Sequence, residues 1–237
     1  LHANPANFTF YFIANCYEAA LHGYIEQYIA SLPGDAKKKE NYKNVAERPT
    51  GTVVNKFTKK METPKAIARM YWYSTTAPYT LENSILASAA GQVLSKLYLQ
   101  KIREEAGAAY SAGAAGSVQM VGDRVFTTLL GHCPMKPEMA DEAIKIMREE
   151  AVAISKSVDE ATLNEIKAVM LKDADAAVKE NSHWLGVYNM YVSRGIDTET
   201  DYKSIVKSLT PAKVAAFVKN VILKAGNNVE VIMLPEK

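Results

Sequence analysis

Residues 81–133 read LENSILASAAGQVLSKLYLQKIREEAGAAYSAGAAGSVQMVGDRVFTTLLGHC. Leu81, Ile85, Ala89, Val93 and Leu97 recur every four residues, and Leu86, Ala90, Leu94, Tyr98 and Ile102 form a second stripe beside them. Stripes at that spacing lie on one broad face of a helix, predicted here over Leu81–Ala106. Thr80 is placed to accept the first free N–H, Glu82 complements the helix N-terminus, and Gly107 stands where a left-handed residue commonly ends a helix. Strands are expected over Ala109–Gln119 and Arg124–Cys133, joined by the turn-like Val121-Gly122-Asp123, so the long helix feeds a β-hairpin. The first of these strands is rich in Ala and Gly, which lets another backbone approach closely, either from within the fold or from an extended peptide.

Working outward, Phe8–Ala14 (FTFYFIA) has strand composition, and Glu18–Leu32 carries apolar residues at helical spacing. Pro33-Gly34-Asp35 stops this unit, and Ala36–Gly51 is polar, charged and aperiodic, as an exposed connection should be. Thr52–Lys60 and Ile67–Thr76 read as strands. Beyond the hairpin, Pro137 opens a helix, Ser157 with Glu160 has capping-box spacing before a second, and a less regular helical stretch runs through HWLGVYNMYV. Thr210-Pro211 opens the last helix, and Gly226-Asn227-Asn228 turns it into the strand VEVIML. Hairpin-joined strands with helices gathered in runs predict an α+β fold: a largely antiparallel sheet with helices packed on one face, a two-layer sandwich.

The chain has 237 residues, 48% hydrophobic and 23% charged, with a formal net charge of +2. That composition describes a folding globular chain and gives no electrostatic reason to expect nucleic acid or an anionic membrane as partner. No apolar run is long enough to span a bilayer, and the first residues lack the basic and apolar regions of a secretory signal. Cys16 and Cys133 make no disulfide framework, so the compartment stays open, periplasmic and cytoplasmic being equally compatible. His2, His22, His132 and His183 belong to no H-E-x-x-H or H-x-x-E-H pattern, and no metal ligand set is expected in this chain. His132 and Cys133 fall on one strand, where consecutive side chains take opposite faces and cannot clasp one ion. No G-x-S-x-G elbow and no phosphate-binding loop is present, so no catalytic residue is assigned to the chain in isolation.

Arg103, Gly107 and Tyr110 remain. On residue type alone Arg103 is a favourable helix C-terminal charge and Tyr110 a half-buried strand aromatic. Yet the run SKLYLQKIREEAGAAYS (Ser95–Ser111) resembles a motif of the insulinase and pitrilysin family of zinc peptidases: a helix ending in an arginine, a Gly-containing turn, then a tyrosine. The opening unit ending ASLPGD, the polar linker, the ENSHWLGVYNMY stretch and the terminal helix and strand are similar as well, so the resemblance covers nearly the whole chain. It implies a fold like that of the mitochondrial processing peptidase. It also implies the end of one α+β unit in residues 1–33, a linker in 34–50 and a C-terminal domain in 51–237. In that family the inverted zinc motif lies in the other half of the enzyme, so zinc is expected there and none here. The resemblance implies that Arg103 and Tyr110 bind substrate and support its transition state, projecting to one concave surface along which residues 109–116 guide an extended peptide. The partners it implies are a zinc-bearing N-terminal half, of the same polypeptide or a homologous subunit, and a peptide substrate. A non-catalytic scaffold subunit of the same fold is the alternative, and an unrelated small-molecule binder a third.

Overall fold

The computed structural model describes residues 4–38, 41, 43 and 47–236. In chain order the elements are α1 (Glu18–Ile25), β1 (Thr52–Lys59), β2 (Ala66–Ser74), α2 (Leu81–Tyr98), β3 (Gly113–Val121), β4 (Arg124–Met135), α3 (Ala140–Ala153), α4 (Glu160–Ala177), α5 (Asn181–Arg194), α6 (Tyr202–Ser208), α7 (Pro211–Phe217) and β5 (Asn227–Pro235). They divide into one unit of Leu1–Glu47 with Asp175–Thr198 and another of Arg48–Ala174 with Glu199–Lys237.

The second unit is built on a five-stranded sheet of order β1-β5-β2-β4-β3. Only the β1–β5 pair is parallel, which bears out the expected α+β class and largely antiparallel sheet. The pleat sorts the strands' side chains. Ala68, Met70 and Trp72 of β2 stand beside Cys133, Gly131 and Leu129 of β4 on the face that packs against the helices. Ile85, Val93 and Leu94 of α2, Ile144 and Met147 of α3, Leu163 and Ile166 of α4, Val206 of α6 and Val214 and Phe217 of α7 complete that core. Arg69, Tyr71 and Tyr73 share the opposite face with His132, Leu130 and Thr128.

One contact seats the helix layer. A Cβ at Gly91 of α2 would lie 2.0 Å from the Gly116 nitrogen of β3, and a Cβ at Gly116 would lie 1.8 Å from the Ala87 carbonyl oxygen. The helix backbone therefore rests directly on the strand backbone, and the approach invited by the small residues of β3 comes from α2. The Thr80 hydroxyl accepts from the Asn83 N–H at 3.0 Å, as its capping role predicts. Glu230 of β5 is the other fixed point. It is 2% exposed among the helices and takes both Nε and Nη2 of Arg148. Burial alone would raise its carboxyl, but hydrogen bonds from Arg148 and Asn228, with the Arg148 charge, hold it below the ordinary glutamate value.

Several expectations need correction. Phe8–Ala14 forms no strand: a strand exists by pairing, no ladder runs along this segment, and Phe8, Phe10 and Phe12 are 42–45% exposed. The helix after it holds as α1, extended by a π-helical turn over Glu26–Ala30. The first hairpin strand begins at Gly113 rather than Ala109, because the backbone from 107 is spent turning away from α2. Asp159, not Ser157, caps α4, since its carboxylate takes the Thr162 N–H at 2.7 Å. The stretch read as irregular is the regular helix α5, ended by Gly195 at φ 68°. Of the polar connection 36–51, residues 39, 40, 42 and 44–46 lie outside the described residues.

Gly91→Ala is expected to destabilise this unit by about 3 kcal/mol or more, because the new methyl group meets backbone that cannot rotate away; chemical denaturation checks it. Glu230→Gln is expected to cost about 1–3 kcal/mol near neutral pH. Since the folded carboxyl is depressed, the wild-type advantage is present above the unfolded glutamate value of about 4.3 and disappears as pH falls through the folded one. Unfolding midpoints of the two proteins should therefore converge in acid.

Candidate functional site

Toward its C-terminus α2 widens into a π-helical turn over Leu99–Glu105, in which Ile102 is fully buried and Arg103 points outward. Just before it, the buried Tyr98 hydroxyl donates to the Met147 carbonyl at 2.8 Å and holds the helix end against α3. The Ala106 N–H reaches back to the Lys101 carbonyl at 3.1 Å, and Gly107 takes the left-handed turn at φ 61°. The connector that follows is pinned at its first residue. Ala108 N–H donates to the Ile102 carbonyl at 2.9 Å, while the Ala108 carbonyl accepts from the Lys136 N–H at 3.0 Å. Ala108, Ala109 and Ala112 are buried, which anchors the connector through methyl groups and leaves Tyr110 88% exposed.

Tyr110 is therefore neither in a strand nor half buried. Its ring centroid lies 5.5 Å from the Arg103 guanidinium carbon, a cation–π contact between two exposed side chains. The structure thus brings together the two residues singled out in the sequence, seven positions apart, across the Gly107 turn. Tyr110 also borders an open groove of about 740 Å³, lined by Pro64, Lys65, Pro134, Lys136 and Glu138 among others. Arg103, Lys65 and Lys136 take part in no ion pair among the described residues.

A second cavity, of about 630 Å³, lies on the helix-free face of the sheet, lined by Tyr71, Tyr73, Ser117, Thr128 and Leu130. Arg48 crosses it, 4.1 Å above the Phe126 ring and 5.5 Å from Tyr73, with Nη1 donating to the Thr128 hydroxyl at 3.3 Å. The Tyr73 hydroxyl donates to the Pro49 carbonyl. In the sequence Arg48 falls in the polar connection 36–51, and only the aromatic alternation of Tyr71 and Tyr73 marks the surface that it covers.

Among the described residues, no three His, Cys, Asp or Glu side chains are grouped to hold a metal, and His2 lies outside them. The described residues supply no ligand set that fits zinc. His132 faces away from Cys133, as expected, and its imidazole is lowered by burial and by the Arg69 charge. Both cysteines are free; burial pushes the Cys133 thiol up to about 12, so it is no nucleophile. No described helix is long and apolar enough to cross a membrane. Arginine and phenol donors over a groove can grip a carbonyl or carboxylate, and the chemistry on offer is binding.

The model of the peptidase M16 inactive domain matches residues 2–170. The probable zinc protease PqqL of Escherichia coli is 24% identical over 243 residues, which is 100% of this chain and 25% of that protein. The crystal structure of that periplasmic protease superposes with a TM-score of 0.74 at 22% identity, covering 94% of this chain and 24% of that one. A protease from Helicobacter pylori gives a TM-score of 0.72 at 17% identity, covering 94% and 54%. The first half of PqqL has the same fold, with a TM-score of 0.62 at 15% identity over 92% of this chain and 49% of that one. The chain thus spans about a quarter of the curated relative. On the family match and the shared fold, this chain belongs to the peptidase M16 family of insulinase-like zinc proteases, as an inactive C-terminal domain.

Proposed function

We propose that the chain is the substrate-binding wall of an insulinase-like zinc metalloendopeptidase, acting on peptides together with a zinc-bearing half from the same polypeptide or a homologous subunit. Residues 1–33 are then the end of a preceding α+β unit, 34–50 a linker and 51–237 the binding domain. One observation carries this reading: in an inactive domain of a peptidase family, Arg103 lies over the ring of a Tyr110 that a connector anchored by buried alanines leaves exposed beside a groove.

The two side chains divide the work. The guanidinium offers several donors in a fixed fork and a charge felt over some distance, which suits the grip on a bound peptide. The phenol offers a single donor, whose contribution grows as charge develops on a substrate carbonyl. Both groups act here as hydrogen-bond donors, so bond cleavage depends on the other half.

In the complete protease, Tyr110→Phe is expected to lower kcat by about 10²-fold or more with little change in KM, as loss of a comparable oxyanion donor does. Arg103→Ala is expected to lower kcat and raise KM together. If both folded variants keep the wild-type kcat/KM on a short peptide, the reading fails and the scaffold alternative takes its place. The purified chain alone is expected to hold no stoichiometric zinc by elemental analysis and to cleave no peptide. One tightly bound zinc with chelator-sensitive hydrolysis would contradict that.

A further inference from the structure

The helix-free face of the sheet carries no carboxylate. Among the residues of the five strands only Glu230 is acidic, and it faces the helices, where Arg148 takes it. The opposite face is basic and apolar. From the Tyr110 groove inward, Lys65 and Lys136 come first, lying just past the Ala66–Met135 pair that ends the register; then Arg69 stands opposite His132. Tyr71 and Leu130 follow, and the track ends in the cavity crossed by Arg48. Lys65, Arg69, Lys136 and Arg48 are all exposed, and none is in an ion pair among the described residues. Glu138 at the rim is the single carboxylate lining the Tyr110 groove. The strands thus keep their one acid off this face.

We propose that this face, from the Tyr110 groove to the Arg48 cavity, is a subsite track for an acidic, apolar-containing segment of extended polypeptide. Charge complementarity selects that occupant: cations without a carboxylate partner, along an aromatic and aliphatic floor, match Asp or Glu alternating with apolar residues. The dimensions match too, since the strand length from Phe126 to Pro134 accommodates about eight extended residues at roughly 3.4 Å each. The assignment rests on the peptide-binding role proposed above and adds the substrate class to it.

Fluorescence anisotropy on the full 237-residue chain tests it, with a labelled peptide of about ten residues that alternates Glu and Leu and its Gln counterpart as probes. The acidic peptide is expected to bind about fivefold or more tighter than the amide peptide at low salt. In an Arg69→Gln, Lys136→Gln variant the two should bind alike, with affinity for the amide peptide unchanged. Equal binding of both peptides to the wild-type chain would overturn the acidic preference while leaving the peptide-binding role intact. Binding of neither would overturn both. Tighter binding of a single-stranded oligonucleotide than of the acidic peptide would overturn the assignment by making the face a general polyanion surface.

Discussion

The absence of two side chains sets the geometry on which the candidate site depends. With hydrogen at Gly91 and Gly116, α2 lies on β3 at backbone contact; with any larger group the helix would have to lift off the sheet. Because the helix is anchored there, its C-terminal turns are carried to the end of the sheet where β2 begins and β4 ends. Tyr98 and Ile102 lock those turns to α3 and the core, and Gly107 redirects the chain. Arg103 and Tyr110 meet as the product of that sequence of constraints rather than through any contact that either makes with the core.

The same sheet separates two electrostatic tasks. On the helix side its one carboxylate is buried and fully employed by Arg148 and Asn228, a structural pairing whose loss is felt as stability. On the other side the side chains are aromatic, aliphatic and cationic, with the cations left in solvent. Exposed lysines and arginines add little to folding, so the absence of ion pairs at Lys65, Arg69 and Lys136 among the described residues has little consequence for stability. They remain available to something outside the unit.

Much of this was legible in the residues. The long helix, its Thr80 cap, the Gly107 stop and the hairpin followed from spacing and turn chemistry, which act locally and survive any tertiary arrangement. The significance of Arg103 and Tyr110 came from a resemblance, and residue type alone would have placed Tyr110 in a strand. What failed was non-local. Phe8–Ala14 has strand composition, but composition supplies no partner strand. Asp159 and Ser157 are both good caps, and only the backbone path chooses between them. Arg48 was unreadable because an arginine in a polar stretch reveals nothing of the aromatic face it crosses. The charge segregation of the sheet was likewise invisible until register assigned each side chain to a face.

The central claim is that Tyr110 and Arg103 touch a bound peptide. The most direct measurement is a side-chain NMR titration of the chain with peptide, following the tyrosine ring and arginine Nε resonances, with Tyr110→Phe and Arg103→Ala used for assignment. Tyr17, as exposed as Tyr110, serves as the internal control. The expected result is a saturable shift of the Tyr110 and Arg103 signals with the Tyr17 signal stationary. Stationary Tyr110 and Arg103 signals under conditions where peptide is bound, or an equal shift at Tyr17, would contradict the account.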